Sequence, residues 1–326
     1  MMVETMEQVE LCTPPLNTSC LSTLASPKAT LIRTLLYCIV LLTVTLNLLV
    51  VISISHFRQL HTTTNVFLLS LAVSDLLVGL AVMPAAVDQQ SCRFLDKITC
   101  ALLFLLTFTL TSSSVGSMVL ISVDRYVAIC APLHYSSMIT PSRAKICVSL
   151  CWICSVIYNV IILKDHLSQI DVFNPCSQEC TLIIGYIPGV VDFIVTFFGP
   201  VTVIIVLYIR VFVVAVSQAR VMRSQIVAVK SRTLTVVVKK SEMRAARTLG
   251  IVLLLFIVCL CPYYCPSLAG QDTTTDGSSA QIWLFYCNSS LNPLIYAFFY
   301  PWFRKSIKII VSLQILQQDS CEVKII

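Results

Sequence analysis

The motif Asp124-Arg125-Tyr126 directly follows residues 99–123, a run that contains no charged side chain. A helix crosses the hydrocarbon core of a membrane with about 20 predominantly apolar residues, so this run is long enough. The composition agrees, because 57% of the 326 residues are hydrophobic and only 12% are charged, against about 25% charged in a soluble domain. The chain is therefore predicted to be a polytopic membrane protein, which excludes a disordered chain, a nucleic-acid-binding domain and an ordinary cytosolic enzyme.

Six further apolar runs lie on either side of this one. They cover residues 35–57, 64–87, 146–163, 181–209, 248–270 and 280–303. Two of these runs hold one charged residue each, Asp75 and Asp192. A charge at membrane depth is costly and is expected to serve a function. The predicted fold class is an all-α membrane protein with a bundle of seven helices.

The basic residues set the predicted orientation. The side that holds the N-terminus carries only Lys28, Arg33, Arg93, Lys97 and Lys164, and the other 17 of the 22 Lys and Arg lie on the opposite side. Basic residues accumulate in cytoplasmic loops, so the N-terminus is predicted to be extracellular. The acceptor Asn17 of Asn17-Thr18-Ser19 then lies outside, where it is predicted to carry a glycan.

Several motifs follow one another along the runs. They are Asn47-Leu48-Leu49-Val50, Leu71-Ala72-Val73-Ser74-Asp75-Leu76, Asp124-Arg125-Tyr126, Trp152, Pro200, Pro262 and Asn288-Ser289-Ser290-Leu291-Asn292-Pro293-Leu294-Ile295-Tyr296. In this order the set resembles the rhodopsin-like G-protein-coupled receptors. The stretch from Tyr296 to Lys305 looks like the trace amine-associated receptors, and the N-terminal cysteines and the pair Cys176 and Cys180 also resemble that family.

The resemblance implies how the chain is divided. Residues 1–30 would form an extracellular tail, and residues 31–303 a seven-transmembrane bundle of rhodopsin-like type. Residues 304–326 would form the cytoplasmic end, with a short amphipathic helix eight over residues 305–316 that lies along the membrane.

Two disulfide bonds are implied in the same way. In the family one cysteine of the second outer loop bridges to helix three and another bridges to the N-terminal tail. Carried over, Cys180 pairs with Cys100, and Cys176 pairs with Cys20 or, as the alternative, with Cys12.

Asp192 is the residue that bears most directly on the ligand. In most amine receptors the ammonium group pairs with an Asp on helix three, at the position of Thr107, which offers no counter-charge. Asp192 lies eight residues before Pro200 and matches the helix-five carboxylate of a subset of fish trace amine-associated receptors. Thr196 is one turn further along the same face. Asp192 is therefore expected to select protonated amines through charge-assisted hydrogen bonds.

Further ligand-binding residues are predicted around this pair. They are Thr111, Phe193, Tyr263, Tyr264, Trp283 and Tyr286. The aromatic side chains are expected to contact the ammonium group, with ordinary packing between helices as the alternative for each. Asp88 is a candidate partner for a second amine group, and a solvated helix end without a special role is the alternative.

Asp75 is predicted to lie in a polar cluster. The other members are Asn47, Ser114, Asn288, Ser289 and Asn292. In receptors of the resembled class such a cluster binds a sodium ion and rearranges on activation, and a hydrogen-bonded core without an ion is the alternative. On both interpretations Asp75 belongs to the transmission path and not to the ligand pocket. No other cofactor or metal is expected.

The resemblance assigns residues at the cytoplasmic side to G-protein coupling. They are Asp124, Arg125, Tyr126, Tyr208, Glu242 and Tyr296. The charged members are expected to hold helices three and six together until activation. Activation would then free Arg125 toward the G protein, and the tyrosines of helices five and seven would turn inward. The expected partner is a stimulatory or olfactory G protein that raises cAMP. The basic residues between 220 and 240 would contact a G protein or anionic lipid.

One departure from the family pattern is Leu260, because a Trp is usual two residues before the proline of helix six. The preferred interpretation is an olfactory receptor for biogenic amines in the plasma membrane. A rhodopsin-like receptor for a non-amine small molecule, with Asp192 structural, is the alternative. A light-driven pump would need a Lys in the seventh run, and a transporter would show repeated halves. No catalytic set is present, so neither an enzyme nor a nucleic-acid partner is expected.

Overall fold

The computed structural model describes residues 26–90, 97–168, 186–226, 250–251, 254–264, 276–317, 320–323 and 325. Helices and turns make up this part of the chain, which contains no strand. The prediction of an all-α fold is confirmed.

Among the described residues, seven helices follow the seven apolar runs. They are α1 (Pro27–His56), α2 (Thr63–Leu77, continued by Val78–Val82 and Met83–Gln90), α3 (Lys97–Cys130), α4 (Pro141–Ser168), α5 (Tyr186–Asp192, continued by Phe193–Phe198 and Gly199–Ile226), α6 (described over Leu254–Tyr264) and α7 (Asp276–Phe299). Helices α1 to α5 are each long and apolar enough to cross a membrane. A short helix, Pro132–Met138, joins α3 to α4, and α8 (Pro301–Val311) follows α7.

Helix α5 contains a π turn, in which a backbone hydrogen bond reaches back five residues. The turn covers Phe193–Phe198, and the N–H of Gly199 donates to the carbonyl of Ile194. A Cβ added to Gly199 would lie 2.9 Å from that carbonyl oxygen, so only glycine fits without a shift. Pro200 has no N–H and cannot continue the α-helical ladder here. The turn begins directly after Asp192 and therefore sets the direction of the side chains that follow it.

A second π turn, Val78–Val82, interrupts α2 three residues after Asp75. Val78 and Val82 are buried and belong to an apolar cluster that includes Leu110 of α3 and Trp283 of α7. This cluster packs α2 against α3 and α7, one to two helical turns along α2 from Asp75.

The surface and the interior have the polarity of a membrane protein. Ile153 and Ile157 on α4 and Phe212 on α5 are more than half exposed. The amide residues Asn47 and Asn159 are fully buried. Apolar side chains outside and polar side chains inside are the arrangement that a hydrocarbon solvent favours, because polar groups must find partners within the protein.

Helix eight begins earlier than predicted. The apolar run that ends at residue 303 is divided at Tyr300, which is extended with φ −102° and ψ 109°. A residue before proline disfavours the α conformation, and Pro301 is suited to the first turn of a new helix. Helix α8 therefore covers Pro301–Val311 instead of residues 305–316, and Gln314–Leu316 forms a separate 3₁₀ turn. Helix α1 begins at Pro27, and the predicted tail boundary at residue 30 stays a prediction.

The C-terminal segment folds back onto the turn between α1 and α2. Ile325 is 1% exposed and packs in a cluster with Phe57 and Leu60. Its N–H donates to the Gln59 side chain at 3.1 Å. This contact connects residues far apart in the sequence and was not predicted.

Candidate functional site

Asp192 is buried at the contact between α4 and α5, with 4% of the residue exposed. The hydroxyl of Thr196 donates to its Oδ1 at 2.8 Å, and the hydroxyl of Tyr158 donates to the same oxygen at 3.2 Å. Within the described part of the chain no hydrogen bond ends on Oδ2, and no cationic side chain pairs with the carboxylate. A buried carboxylate without a cation is costly. Oδ2 is therefore the atom that remains for a cationic partner.

The sequence interpretation missed Tyr158. Its neighbour Asn159 is fully buried and donates to the hydroxyl of Ser112 on α3 at 3.0 Å. These two adjacent polar residues in an otherwise apolar span were the available signal, since polar groups in membrane helices face the interior of the bundle. The sequence did not show that the Tyr158 side chain turns toward α5.

A row of aromatic rings connects α5 with α7. The rings of Phe197 and Tyr264 stack with centroids 5.0 Å apart and 19° between their planes. Tyr264 meets Tyr263 edge-on at 5.2 Å, and Tyr263 lies 5.0 Å from Phe285 of α7. Phe285 contacts Tyr286 at 5.6 Å. The row therefore joins the neighbourhood of Asp192 to the opposite wall of the bundle.

The five aromatic residues predicted for the pocket all belong to this row. Phe193 lies 5.6 Å from Phe197 at one end, and Trp283 lies 5.8 Å from Tyr286 at the other. Phe285, which links the rings of α6 to those of α7, was missed because nothing in the sequence distinguishes it from a lipid-facing Phe.

A small cavity of about 20 Å³, enough for about one water molecule, lies between α2, α3, α6 and α7. Thr107, Thr111 and Tyr286 line it, and so does Asp75. The lining residues that the structure describes do not include Asp192. The predicted ligand-binding residues thus fall into two groups, one around Asp192 and one around this cavity.

Asp75 lines the same cavity as Thr107 and Thr111, and its place in the transmission path stays a prediction. Thr107, Thr111 and Ser114 are four and three residues apart on α3, so they share one face of the helix. The cavity follows that face down to Asp75. The hydroxyls of Thr107 and Thr111 donate to carbonyls one turn earlier, at 2.7 and 2.8 Å.

The polar cluster around Asp75 contains acceptors without donors. Asn292 donates to Asp75 Oδ2 at 2.8 Å, and Asn47 donates to the carbonyl of Ser289 at 2.9 Å. Asp75 Oδ1, Ser114 Oγ and Asn288 Oδ1 are buried and have no hydrogen-bond partner in the described part of the chain. Oxygen atoms of this kind are ligands for a hard cation, so the residues fit the expected sodium ion.

At the inner end of α3, Asp124 accepts hydrogen bonds from three side chains. Arg125 Nε donates to Oδ2 at 3.0 Å, and the Thr64 hydroxyl donates to the same oxygen at 2.8 Å. The Tyr135 hydroxyl donates to Oδ1 at 2.9 Å. Arg125 also donates to Thr64. Arg125 is thereby held against α2 and α3.

Tyr135 lies in the short helix after α3 and outside the membrane spans. Burial raises the pKa of its hydroxyl, and the nearby charge of Asp124 raises it further. The phenol therefore stays protonated at physiological pH and keeps its role as donor to Asp124.

The three predicted tyrosines of the coupling region pack in apolar clusters. Tyr296 is 1% exposed, and its hydroxyl has no hydrogen-bond partner in the part of the chain that the structure covers. Tyr208 packs against the core, and a Cβ added to Gly250 would overlap its hydroxyl. Tyr126 packs beside Val211 of α5.

Other predicted residues lie at the outer side or beyond the described residues. Asp88 accepts a hydrogen bond from Tyr37 at 3.3 Å. Cys100 is disulfide-bonded, whereas other described cysteines, among them Cys38, Cys147 and Cys154, form no disulfide bond. Outside the described residues lie Cys12, Cys20, Cys176, Cys180, Asn17, Glu242 and the side chains of residues 220–240.

Known receptors are similar to this chain along most of its length. Residues 46–296 match the family model described as 7 transmembrane receptor (rhodopsin family). The chain is 35% identical to trace amine-associated receptor 13c of Danio rerio, over 97% of this chain and 96% of that protein. It is 37% identical to trace amine-associated receptor 8a of Rattus norvegicus, over 96% and 95% of the two chains. With trace amine-associated receptor 1 of Mus musculus the identity is 34%, over 88% and 90%.

Proposed function

The chain belongs to the trace amine-associated receptors of the rhodopsin family, and we propose that its ligand is a protonated amine bound by Asp192. It is a multi-pass membrane receptor and not an enzyme. The relatives are named for trace amines. The proposal depends on how Asp192 is held.

The main support for this proposal is that both hydrogen-bond donors reach the same carboxylate oxygen of Asp192 and leave the second oxygen without a donor. Tyr158 and Thr196 both donate to Oδ1. They keep the carboxylate oriented, and an ammonium group at Oδ2 would supply the charge that burial demands. A charge-assisted hydrogen bond at this oxygen distinguishes a protonated amine from a neutral molecule of the same shape. Thr107 supplies no charge and would serve only as part of the wall.

The aromatic row completes the proposed amine site. Phe193 of α5 and Tyr264 of α6 have ring centroids 6.2 Å apart, and Phe193 directly follows Asp192 in the chain. An aromatic face within about 6 Å of an ammonium group contributes about 0.5–2 kcal/mol of attraction. Movement of Tyr264 on ligand binding would be passed along the row to Phe285 and α7.

The proposed output is activation of a stimulatory or olfactory G protein that raises cAMP. In this structure Arg125 is bound by Asp124 and Thr64. Release of Arg125 from these partners would present a cation to the G protein. The proposed location is the plasma membrane of olfactory neurons, with the N-terminus extracellular and the basic residues 220–240 facing anionic lipid.

A sodium ion is proposed as a modulator. Asp75, Ser114 and Asn288 would hold it through the oxygen atoms that lack donors. The ion would supply positive charge next to Asp75 and stabilise the surrounding polar cluster without taking part in amine binding at Asp192.

The test is a cAMP reporter assay in cells with a panel of amines and the alcohols of matched shape. Asp192→Asn removes the charge and keeps the volume, so an activating amine should lose about 100-fold or more in potency. Asp192→Glu keeps the charge and should lose less. Asp88→Asn tests whether the amine pairs at the outer end of α2 instead, and Glu322→Gln, whose side chain is 64% exposed, is the control for a general loss of negative charge. Thermal unfolding of the purified receptor with the same amines tests binding independently of cAMP.

Two results would contradict the proposal. One is an unchanged amine potency for Asp192→Asn at wild-type surface expression. The other is a well-expressed receptor that no amine activates or stabilises while a neutral compound does, which would favour a non-amine ligand and a structural role for Asp192.

A further inference from the structure

Helix α4 has a lipid face and an opposed polar face. Ile153, Ile157 and Ile161 follow one another at intervals of four residues, and each is more than half exposed. Ser155 and Asn159 are also four residues apart, and both are buried. Residues at this spacing share one face of a helix, and a shift of two residues reaches the opposite face. The polar side chains of α4 therefore point into the bundle.

The rotation of α4 about its own axis depends on specific contacts of this polar face. Lipid tails are as apolar as isoleucine, so the hydrophobic effect does not hold membrane helices together in one fixed rotation. Trp152 Nε1 donates to Ser70 Oγ of α2 at 3.0 Å. Asn159 Nδ2 donates to Ser112 Oγ of α3 at 3.0 Å. These two hydrogen bonds act about two helical turns apart along α4.

Helices α3 and α4 approach each other closely near the second bond. A Cβ added to Gly116 of α3 would overlap the sulfur of Cys151. Ser112 lies one turn before Gly116 on α3 and is thereby brought within reach of the Asn159 amide. The close approach sets the separation of the two helices, whereas a hydrogen bond also requires a direction.

The Asn159 amide is only partly paired. Its Nδ2 also donates to the carbonyl of Ser155 at 2.8 Å. Its Oδ1 is buried and has no hydrogen-bond partner in the part of the chain that the structure describes. A buried acceptor without a donor costs free energy. The direction of the bond to Ser112 therefore explains this amide better than a gain in stability does.

Tyr158 directly precedes Asn159, so the two side chains leave the helix about 100° apart. With Asn159 directed to α3, the Tyr158 hydroxyl meets Asp192 Oδ1 of α5 at 3.2 Å. This distance is long for a bond between hydroxyl and oxygen, so a small rotation of α4 breaks it. We infer that Asn159 is a positioning residue, which fixes the rotation of α4 through Ser112 and thereby directs Tyr158 to Asp192.

This role deepens the proposed function and rests on it, since Asp192 is the proposed partner of the amine. Asn159 would not touch the ligand. Its effect on amine affinity would pass entirely through the Tyr158 hydroxyl, which gives the inference a consequence that a merely structural contact lacks.

The experiment compares Ser112→Ala with Ser70→Ala in the full receptor, each in the wild-type and in the Tyr158→Phe background. Each alanine variant removes the hydroxyl that accepts from a side chain on the polar face of α4. Ser70→Ala is the matched control, because its partner Trp152 lies about 9 Å along α4 from Tyr158. Ser112→Thr keeps the hydroxyl and is the conservative variant.

Two quantities are measured. One is the potency of phenethylamine and of hexylamine in the cAMP reporter assay at matched surface expression. The other is the unfolding temperature of the purified receptor in lipid nanodiscs without any amine, which does not depend on what the ligand is.

The expected result is a loss of potency of about threefold or more for Ser112→Ala in the wild-type background. In the Tyr158→Phe background the same change should alter potency by less than about 1.5-fold, because the contact through which it acts is already gone. Ser112→Thr and Ser70→Ala should keep wild-type potency. Without amine, the losses of stability in Ser112→Ala and Tyr158→Phe should be less than additive, whereas those in Ser70→Ala and Tyr158→Phe should add.

An equal loss of potency from Ser112→Ala in both backgrounds would overturn the inference, because Ser112 would then act on the ligand without Tyr158. So would a loss in Ser70→Ala as large as in Ser112→Ala. If neither amine acts on the receptor, the proposed function fails for these amines and the unfolding temperatures decide alone. Additive losses in Ser112→Ala and Tyr158→Phe would then overturn the positioning role, and losses that are less than additive would support it.

Discussion

The Thr196 hydroxyl donates to Asp192 Oδ1 at 2.8 Å across the π turn Phe193–Phe198. Tyr158 reaches the same oxygen from α4. Helices α4 and α5 are thus connected through one carboxylate oxygen.

The first prediction concerns Tyr158. Replacement by Phe removes one donor to Asp192 and leaves the ring in place, so amine potency should fall about fivefold to thirtyfold, corresponding to about 1–2 kcal/mol. The measurement is a concentration–response curve at matched surface expression. Tyr186→Phe is the control, because Tyr186 is 81% exposed on α5. Equal potencies for Tyr158→Phe and wild type would mean that Thr196 alone orients Asp192.

The second concerns the π turn. In Gly199→Ala the new Cβ would lie 2.9 Å from the carbonyl oxygen of Ile194, so the turn must rearrange. A change of register there rotates Thr196 away from Asp192, and amine potency should fall at least as far as in Thr196→Val. Val195→Ala, at a half-exposed position in the same turn, should have little effect. Wild-type potency for Gly199→Ala would show that the turn tolerates the methyl group.

The third concerns restraint of Arg125. Thr64→Val and Tyr135→Phe each remove a donor to Asp124, which loosens the network around Arg125 and should raise cAMP in the absence of ligand. The pKa of Tyr135 is raised above the ordinary tyrosine pKa of about 10. Its hydroxyl therefore remains a hydrogen-bond donor throughout the physiological pH range. Basal cAMP should therefore not vary through Tyr135 between about pH 6.5 and 8.

A control for these variants is Ser136→Ala, which changes an exposed hydroxyl in the same short helix. A basal signal in Tyr135→Phe that is no higher than in this control, at equal expression, would mean that the Tyr135 contact does not restrain Arg125.

The fourth concerns the C-terminal segment. Ile325→Asp places a charge in the buried cluster with Phe57 and Leu60, and should reduce stability by about 2–3 kcal/mol. Glu322→Gln removes the ion pair between Arg58 and Glu322, whose side chains are 72% and 64% exposed. This loss should lower the free energy of unfolding by less than about 1 kcal/mol. Hydrogen exchange of the turn between α1 and α2 measures both effects. If the two variants expose this turn equally, apolar packing is not what holds the segment.

Much of the fold was predictable because each helix is selected by its own local sequence. Lipid requires a continuous apolar stretch whose backbone bonds are all internal, so the runs and the charges between them predict the spans. The boundary at Tyr300 was misplaced because hydropathy continues through it, while Pro301 acts on the backbone conformation and not on hydropathy.

The candidate site was less accessible to sequence reasoning. Asp192 stands out because a charge in an apolar run is rare, and Thr196 follows from helical spacing. Tyr158 stands out only through its polar neighbour Asn159, and Phe285 does not stand out, since a Tyr or a Phe in an apolar span can face lipid or protein. Their directions depend on how α4 and α7 are rotated about their axes, which neighbouring helices decide.

By itself, the sequence determined the helical class, the order of the spans and the residues whose charge demands a partner, because these follow from the transfer of each segment into lipid. Only the tertiary structure decided that Tyr158 and Thr196 share one oxygen of Asp192, and that Thr107 and Asp75 line one cavity. Both relationships arise between helices, where the register set by a π turn and the packing of side chains determine which atoms meet.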